Sequence, residues 1–375
     1  MRIGFAVTCY DKFEEAKILF EILRNEFEGD YPISFCSNHP DGRKFAEEQD
    51  VDVFTEGRDI PFVKPEYEVM YADPRWKSNL RNHTVLRVRA ADSVQRSCQG
   101  ALKLDVDYVI HMHSDAWVLD EDRLRLFIDD LDSRGKKLAV RGDGLERVDY
   151  ARTPSSACGH LDDHFFAFNR RFFIEKNVFD FVPEELFPHK YSVHGMLMMI
   201  FVTRVGLRNI WYYRFINDLL CYDNKKFLVK NVKPSIFDDM YRFVHIHRNS
   251  FPGDYGKRIQ AMYLKNEGFG RSRFVRDFID RYYDPDCVGY LVDIEKKLDR
   301  KLRMRMFPRD KILKREITVK KNLLDNFGMG VFLSNLVHPL KDYALKRFFP
   351  VSDSIPGLYD NVIKLDNEWA GDIYS

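Results

Sequence analysis

Asp105-Val106-Asp107-Tyr108-Val109-Ile110-His111-Met112-His113-Ser114-Asp115-Ala116-Trp117-Val118-Leu119-Asp120 is the stretch that decides the fold. Tyr108 to Met112 is a short apolar run with β-branched members, bounded by acids on both sides, and predicts an interior strand. His113-Ser114-Asp115 then falls at the carboxyl end of that strand. In open α/β sheets, ligands bind in the crevice outside the carboxyl ends of the strands, so Asp115 is aimed at a ligand. Ala116-Trp117-Val118-Leu119 turns the chain back beneath it. Asp105 and Asp107 also spell D-x-D, but at the opposite end of the strand, where they read as a solvated turn leading into the sheet.

Working outward, residues 2–8 predict a first strand and 11–27 an amphipathic helix, with Phe13, Ala16, Ile18, Leu19, Ile22, Leu23 and Phe27 at helical spacing. Further strands are expected at 33–36 and 51–54, and 56–77, broken by Pro61, Pro65 and Pro74, reads as a long loop. A helix over 84–104 delivers the chain to the central strand. After it come a helix over 121–133, a strand over 138–141, and a run of acids and histidines from Gly159 leading into the aromatic strand Phe165-Phe166-Ala167-Phe168-Asn169. A helix starts at 170–176, another is expected at 187–206, and 211–215 is extended. The last strong strand, 241–247, places Phe243, His245 and His247 on one face. Strands alternating with helices predict an α/β fold with a mostly parallel central sheet flanked by helices. From about residue 251 the chain becomes mainly helical, with helices at 255–266, 273–283 and 294–306, so the expected division is 1–250 and 251–375.

The strand Asp107-Tyr108-Val109-Ile110 leading to His113-Ser114-Asp115, a small residue, Trp117 and Leu119 resembles the metal and nucleotide-sugar motif of GT-A glycosyltransferases, with His113 standing where those enzymes usually carry the first Asp. The long helix before the motif strand and the "F-F-x-F-N" strand at 165–169 follow the same order. The resemblance implies a GT-A-like domain and transfer of a sugar from a nucleotide-diphosphate donor to a glycan or lipid-linked acceptor. A divalent ion, Mn²⁺ or Mg²⁺, would bridge the phosphates as a Lewis acid. Asp115 is then the main protein ligand, with His113 and with His247, or its same-face neighbour His245, as further ligands. Asp162 or Asp163 would take the proton of the acceptor hydroxyl; adjacent on an extended chain, they point to opposite faces, and the sequence does not choose between them. The nucleotide pocket is expected from Thr8, Tyr10, Ser37, Asp52 and Ser114, with Arg81 pairing with phosphate.

The chain has 375 residues, 45% of them hydrophobic, enough for a substantial core plus an appendage. A formal net charge of +1 argues against a dedicated nucleic-acid binder. Six cysteines without C-x-x-C spacing point to reduced thiols in the cytoplasm rather than to a zinc knuckle or a disulfide framework. No run reaches the roughly 20 apolar residues of a membrane span. Between Lys296 and Lys321, however, 12 basic residues are interleaved with Leu, Met, Ile and Phe, which suits either peripheral contact with an anionic bilayer or a charged helix packed on the domain. Two rivals remain. A nucleotidyltransferase would favour a Gly-rich loop with Arg or Lys after the first strand, which Thr8-Cys9-Tyr10-Asp11 lacks; a non-catalytic carbohydrate-binding or scaffold protein would keep the fold and lose the first Asp, as at His113.

Overall fold

The computed structural model of the chain describes residues 1–58, 80–142, 161–186, 193–214, 236–237, 241–245 and 254–285. The first strand, β1 (Ile3–Cys9), is buried along its whole length and lies inside a seven-stranded sheet. On one side it pairs in parallel with β2 (Ile33–Ser37), which pairs in parallel with β3 (Val53–Glu56). On the other it pairs in parallel with the motif strand β4 (Tyr108–His113), whose His113 lies opposite Thr8. Beyond β4 the sheet continues with β7 (Leu161–Asn169), β6 (Leu138–Gly142) and β8 (Ile210–Arg214), in the order β3-β2-β1-β4-β7-β6-β8. Only β7 runs against the rest, being antiparallel to both β4 and β6 while β6 and β8 pair in parallel. This is the mostly parallel, helix-flanked architecture expected from the sequence.

Alternation along the strands divides the core into two layers. Phe5, Val7, Ile33, Phe35, Ile110, Met112, Phe165 and Ala167 point to one face, and Ala6, Val109, Val140, Phe166 and Phe168 to the other. The first face is covered by α1 (Phe13–Glu21), which runs on as a π-helical turn over Ile22–Glu26, and by α4 (Glu121–Ser133), capped at its start by the Asp120 carboxylate on the Arg123 amide. The second is covered by α3 (Leu80–Ala101) and α7 (Val193–Ile200), the latter extended by a π turn over Phe201–Val205. Gly100 lets α3 lie directly on β2, because a Cβ there would collide with the Ser34 hydroxyl. Short helices α2 (Gly42–Glu48), α5 (Arg170–Glu175) and α6 (Pro183–Leu186) complete the flanks. The helices expected at 11–27 and 187–206 are therefore each divided into an α segment and a π turn, and 187–192 lies outside the described residues.

A second, smaller sheet was not foreseen. The stretch after Asp115 forms β5 (Ala116–Val118), which pairs antiparallel with β10 (Phe243–His245), itself paired with β9 (Ile236–Phe237). The register sets His245 opposite Ala116.

The described start of the 251–375 region shares its core with the sheet. Helices α8 (Tyr255–Asn266) and α9 (Arg273–Tyr282) place Ile259, Met262, Leu264, Val275 and Phe278 in the same apolar cluster as β1 and α1. A single carboxylate fastens this junction: Glu26, only 7% exposed, accepts from the amides of Gly270, Arg271 and Ser272 at 2.9–3.1 Å, just before α9 begins. Hydrogen bonds to a charged acceptor contribute more than neutral ones, and loss of the acceptor strands several buried donors together. The basic stretch 296–321 and the helix expected at 294–306 lie outside the described residues. No helix among the described residues is long and apolar enough to cross a membrane.

Glu26→Ala is expected to lower the free energy of unfolding by about 3 kcal/mol in urea titrations, and Glu26→Gln, which keeps one acceptor oxygen, by less. A loss below about 0.5 kcal/mol would show that these amides find other partners.

Candidate active site

The carboxyl ends of β1, β2 and β4 define one edge of the sheet, and the chain gathers its unusual side chains there. Immediately after β4 the Ser114 amide donates to the Thr8 carbonyl at 2.9 Å, tying the motif turn to the end of β1. The Trp117 indole, 1% exposed, donates to the carbonyls of Ser114 (3.2 Å) and Glu15 (3.1 Å), and so locks the same turn to α1. Between these anchors Asp115 points inward and is 4% exposed.

Its Oδ2 forms an ion pair with the ammonium of Lys12 and lies 3.2 Å from His245 Nε2. Lys12 reaches it from the turn between β1 and α1, with a side chain 17% exposed. Beside His245 the His164 ring of β7 stacks with centroids 3.7 Å apart, and His113 meets His164 edge-on at 5.0 Å. His111, two residues back along β4, stacks on Phe166 at 4.7 Å. Burial by itself would raise the Asp115 pKa, but the charge and hydrogen bond of His245, then Lys12 and His164, outweigh it and hold the carboxyl well below the usual carboxylate range. The site is thus built around an ionised, enclosed carboxylate matched by the Lys12 ammonium and an imidazole.

Two further groups shape the edge. Tyr10, 54% exposed, meets the His39 ring in a T-shaped contact at 5.4 Å, and Ser37 Oγ accepts from the His39 amide at 3.1 Å. Arg58, just past β3, binds the fully buried Asp92 through Nε at 2.6 Å and through its amide at 3.0 Å, and pairs with Glu184 at 3.0 Å. These contacts fix the path by which the chain leaves β3.

Of the residues expected from the sequence, Thr8, Ser37, His113, Ser114 and Asp115 come to this edge, with Tyr10 on its rim. Asp162 and Asp163 fall in the first residues of β7, directly before His164, which places their backbone at the same edge; nothing is described of their side chains. His247 lies outside the described residues, and His245 is the histidine that contacts Asp115. Arg81 is in the first turn of α3, with its side chain undescribed. Asp52 requires a correction. β3 begins at Val53, two residues later than expected, so Asp52 precedes the strand at the opposite edge of the sheet, where its carboxylate accepts from the Ile33 amide at 2.8 Å. Asp105 and Asp107 behave as a solvated turn: both are exposed, one pairing with the Arg2 guanidinium and the other accepting from the Arg2 amide.

Lys12 and His164 were not anticipated. Lys12 stands one residue beyond the quartet Thr8–Asp11, and His164 shares alternation with Phe166 and Phe168, but only the antiparallel register of β7 on β4 brings it beside His113. These donors do not suit the divalent ion that the resemblance implies. Among the described residues no group of three or more His, Cys, Asp or Glu side chains is arranged to hold a metal, and Asp115 Oδ2 is taken by an ammonium and an imidazole. An imidazole's ligating lone pair lies in its ring plane, and His164 and His245 are stacked with planes only 27° apart, so their lone pairs do not converge on one cation.

No family model matches the chain, and no curated protein matches it. Solved structures do. One is glucosyl-3-phosphoglycerate synthase from Mycobacterium tuberculosis in complex with Mn²⁺ and uridine-diphosphate-glucose, with 13% identity and a TM-score of 0.34, covering 72% of this chain and 80% of that one. The same enzyme with Mn²⁺, uridine diphosphate and glucosyl-3-phosphoglycerate matches at 14% identity and a TM-score of 0.33, over 57% of this chain and 69% of the other. Mouse xyloside xylosyltransferase 1 matches at 8% identity and a TM-score of 0.34, over 56% of this chain and 84% of that one. Each is a distant and partial likeness.

Because the folded-state pKa of Asp115 lies below the unfolded one, its ionisation stabilises the fold fully above the ordinary carboxylate range, and that contribution fades as pH falls through the depressed value. The stability advantage of the wild type over Asp115→Asn, measured by urea unfolding at stepped pH, is expected to be present at about pH 5 and to shrink towards more acid conditions. A difference independent of pH in that range would mean that the ionised carboxylate is not what the fold holds.

Proposed function

We propose that the chain is a glycosyltransferase that moves a sugar from a nucleotide-diphosphate donor to a hydroxyl of a glycan or lipid-linked acceptor. The single observation that carries this is the enclosed Asp115, set at the carboxyl end of a mid-sheet strand and surrounded by Lys12, His113, His164 and His245 at the edge where such sheets bind ligands. The Lys12 ammonium and the imidazole N–H donors gathered at that edge favour an anionic handle such as a diphosphate. The exposed Tyr10 ring beside His39 offers a flat apolar surface to a nucleobase at the end of β1.

In the reaction the acceptor oxygen forms a bond to the anomeric carbon as that carbon's bond to the phosphate oxygen breaks. The bonding pair stays on the diphosphate, and the acceptor's proton passes to a carboxylate. Asp162 or Asp163, in the strand segment that leads to His164, is the residue for that proton if configuration inverts. The acceptor is an exposed hydroxyl brought to this edge, and the basic stretch 296–321 is proposed as the surface that meets an anionic membrane when the acceptor is lipid-linked.

A second reading gains from Lys12. A nucleotidyltransferase would want a basic residue after the first strand, and Lys12 is one, although the turn Thr8–Asp11 has no glycine. Incubation with a panel of nucleotide sugars and simple glycan acceptors separates the two: release of a nucleoside diphosphate with a glycosylated product supports glycosyl transfer, whereas pyrophosphate release from a nucleoside triphosphate and a sugar 1-phosphate supports the rival.

Asp115→Ala is expected to abolish transfer, and retained turnover in a folded variant would remove Asp115 from the active site. Asp162→Asn and Asp163→Asn should differ in turnover by about 10²-fold or more, since only one can face the acceptor. Equal and mild losses would exclude both as the base.

A further inference from the structure

A carboxylate that serves a divalent ion on a diphosphate must offer its oxygen to that ion, and Mg²⁺ in particular takes oxygen ligands in near-octahedral order. Here the one carboxylate on the motif turn already holds an ammonium: Lys12 sits on Asp115 Oδ2, and His245 Nε2 approaches the same oxygen at 3.2 Å. A metal ion at Asp115 would have to displace Lys12 or lie beside its positive charge. Two positions before Asp115, where the resembling enzymes carry an acid, stands His113, whose ring is engaged edge-on with His164. Lys12, by contrast, suits a diphosphate as it stands. An ammonium has three N–H donors; among the described residues Asp115 accepts one, and the other two suit phosphate oxygens. Its location is fixed from two sides, by Asp115 and by the Ala16 amide, which donates to the Lys12 carbonyl at 3.0 Å as α1 begins.

We propose that Lys12, held in place by Asp115, supplies the positive charge opposite the donor's diphosphate, so that this chain binds its donor and transfers the sugar without a divalent ion. The proposal rests on the nucleotide-sugar reading above. When the bond between the anomeric carbon and the phosphate oxygen breaks, the electron pair goes to that oxygen and the acceptor proton to the carboxylate base. Lys12 neither gains nor loses a proton; it offsets the charge growing on the leaving diphosphate. Asp115 acts through Lys12 as a positioning residue, which assigns the buried ion pair a purpose beyond its contribution to stability.

The test is calorimetric binding of UDP, GDP, ADP and CDP, and of the corresponding nucleosides, to the full chain in EDTA and in Mn²⁺. Lys12→Met, Lys12→Arg and Lys12→Met/Asp115→Asn are compared with the wild type, and near-ultraviolet circular dichroism confirms folding. The double variant keeps the experiment decisive if an unpaired Asp115 disturbs Lys12→Met. The wild type is expected to bind at least one diphosphate in EDTA, with Mn²⁺ changing its Kd by less than about threefold, whereas Lys12→Met and the double variant lose about tenfold or more for that diphosphate. Their affinity for the nucleoside is expected to stay unchanged, and Lys12→Arg to restore most of the loss, a pattern that a merely structural lysine would not give. Diphosphate binding that appears only with Mn²⁺ or Mg²⁺ would overturn metal independence while leaving the nucleotide-sugar reading intact. Wild-type affinity in the folded double variant would overturn the role of Lys12. No diphosphate binding under either condition would overturn both.

Discussion

At the end of the central strand a carboxylate is enclosed in protein and kept ionised by an ammonium and an imidazole that the chain brings from 103 residues upstream and 130 residues downstream. An isolated buried carboxylate is costly, and it persists only where its partners are held in place. Much of the surrounding architecture supplies that holding. The Ser114–Thr8 bond fixes the turn, Trp117 bolts it to α1, and the pairing of β5 with β10 sets His245 opposite Ala116, within reach of Asp115.

The topology explains why this edge, and not the other, collects chemistry. Parallel strands finish together, so β1, β2 and β4 deliver Thr8, Ser37 and His113 to a common rim, and the turns beyond them deliver Tyr10, Lys12, His39 and Asp115. The one reversed strand, β7, does the complementary thing: it begins at this rim, so the residues that precede its aromatic core, His164 with Asp162 and Asp163 before it, arrive where the parallel strands end. The opposite rim is occupied by structural contacts, such as Asp52 on the Ile33 amide and Asp107 on the Arg2 amide. The same kind of side chain is thus enclosed by an ammonium and an imidazole at one end of the sheet and bonded to backbone amides at the other.

The helices α8 and α9 show how the chain after the last strand is joined to this plan. Their apolar faces enter the core beside β1, and the Glu26 carboxylate closes the junction on three successive amides. Lys257 of α8 pairs with Glu14 in the first turn of α1, close in sequence to Lys12, so the segment that positions the site is braced from the far end of the described chain.

By itself the sequence determined the alternation of strands and helices, the interior character of Tyr108–Met112 and the placement of Asp115 at the end of that strand, because period and composition are local properties of the chain. The helices at 121–133 and 255–266 were legible to the residue, the first bounded by its Asp120 cap and both by continuous amphipathic spacing. What only the tertiary structure decided was which side chains meet. Lys12 reaches Asp115 across the β1–β4 pairing, His164 meets His113 through an antiparallel register, and His245 contacts Asp115 because β10 pairs with a strand of three residues too short to announce itself. The misplacement of Asp52 has the same origin: a shift of two residues in where β3 starts leaves an acid outside the strand, bonded to an amide at the wrong rim. Register and strand ends are settled by long-range packing, which the order of residues along one strand does not encode.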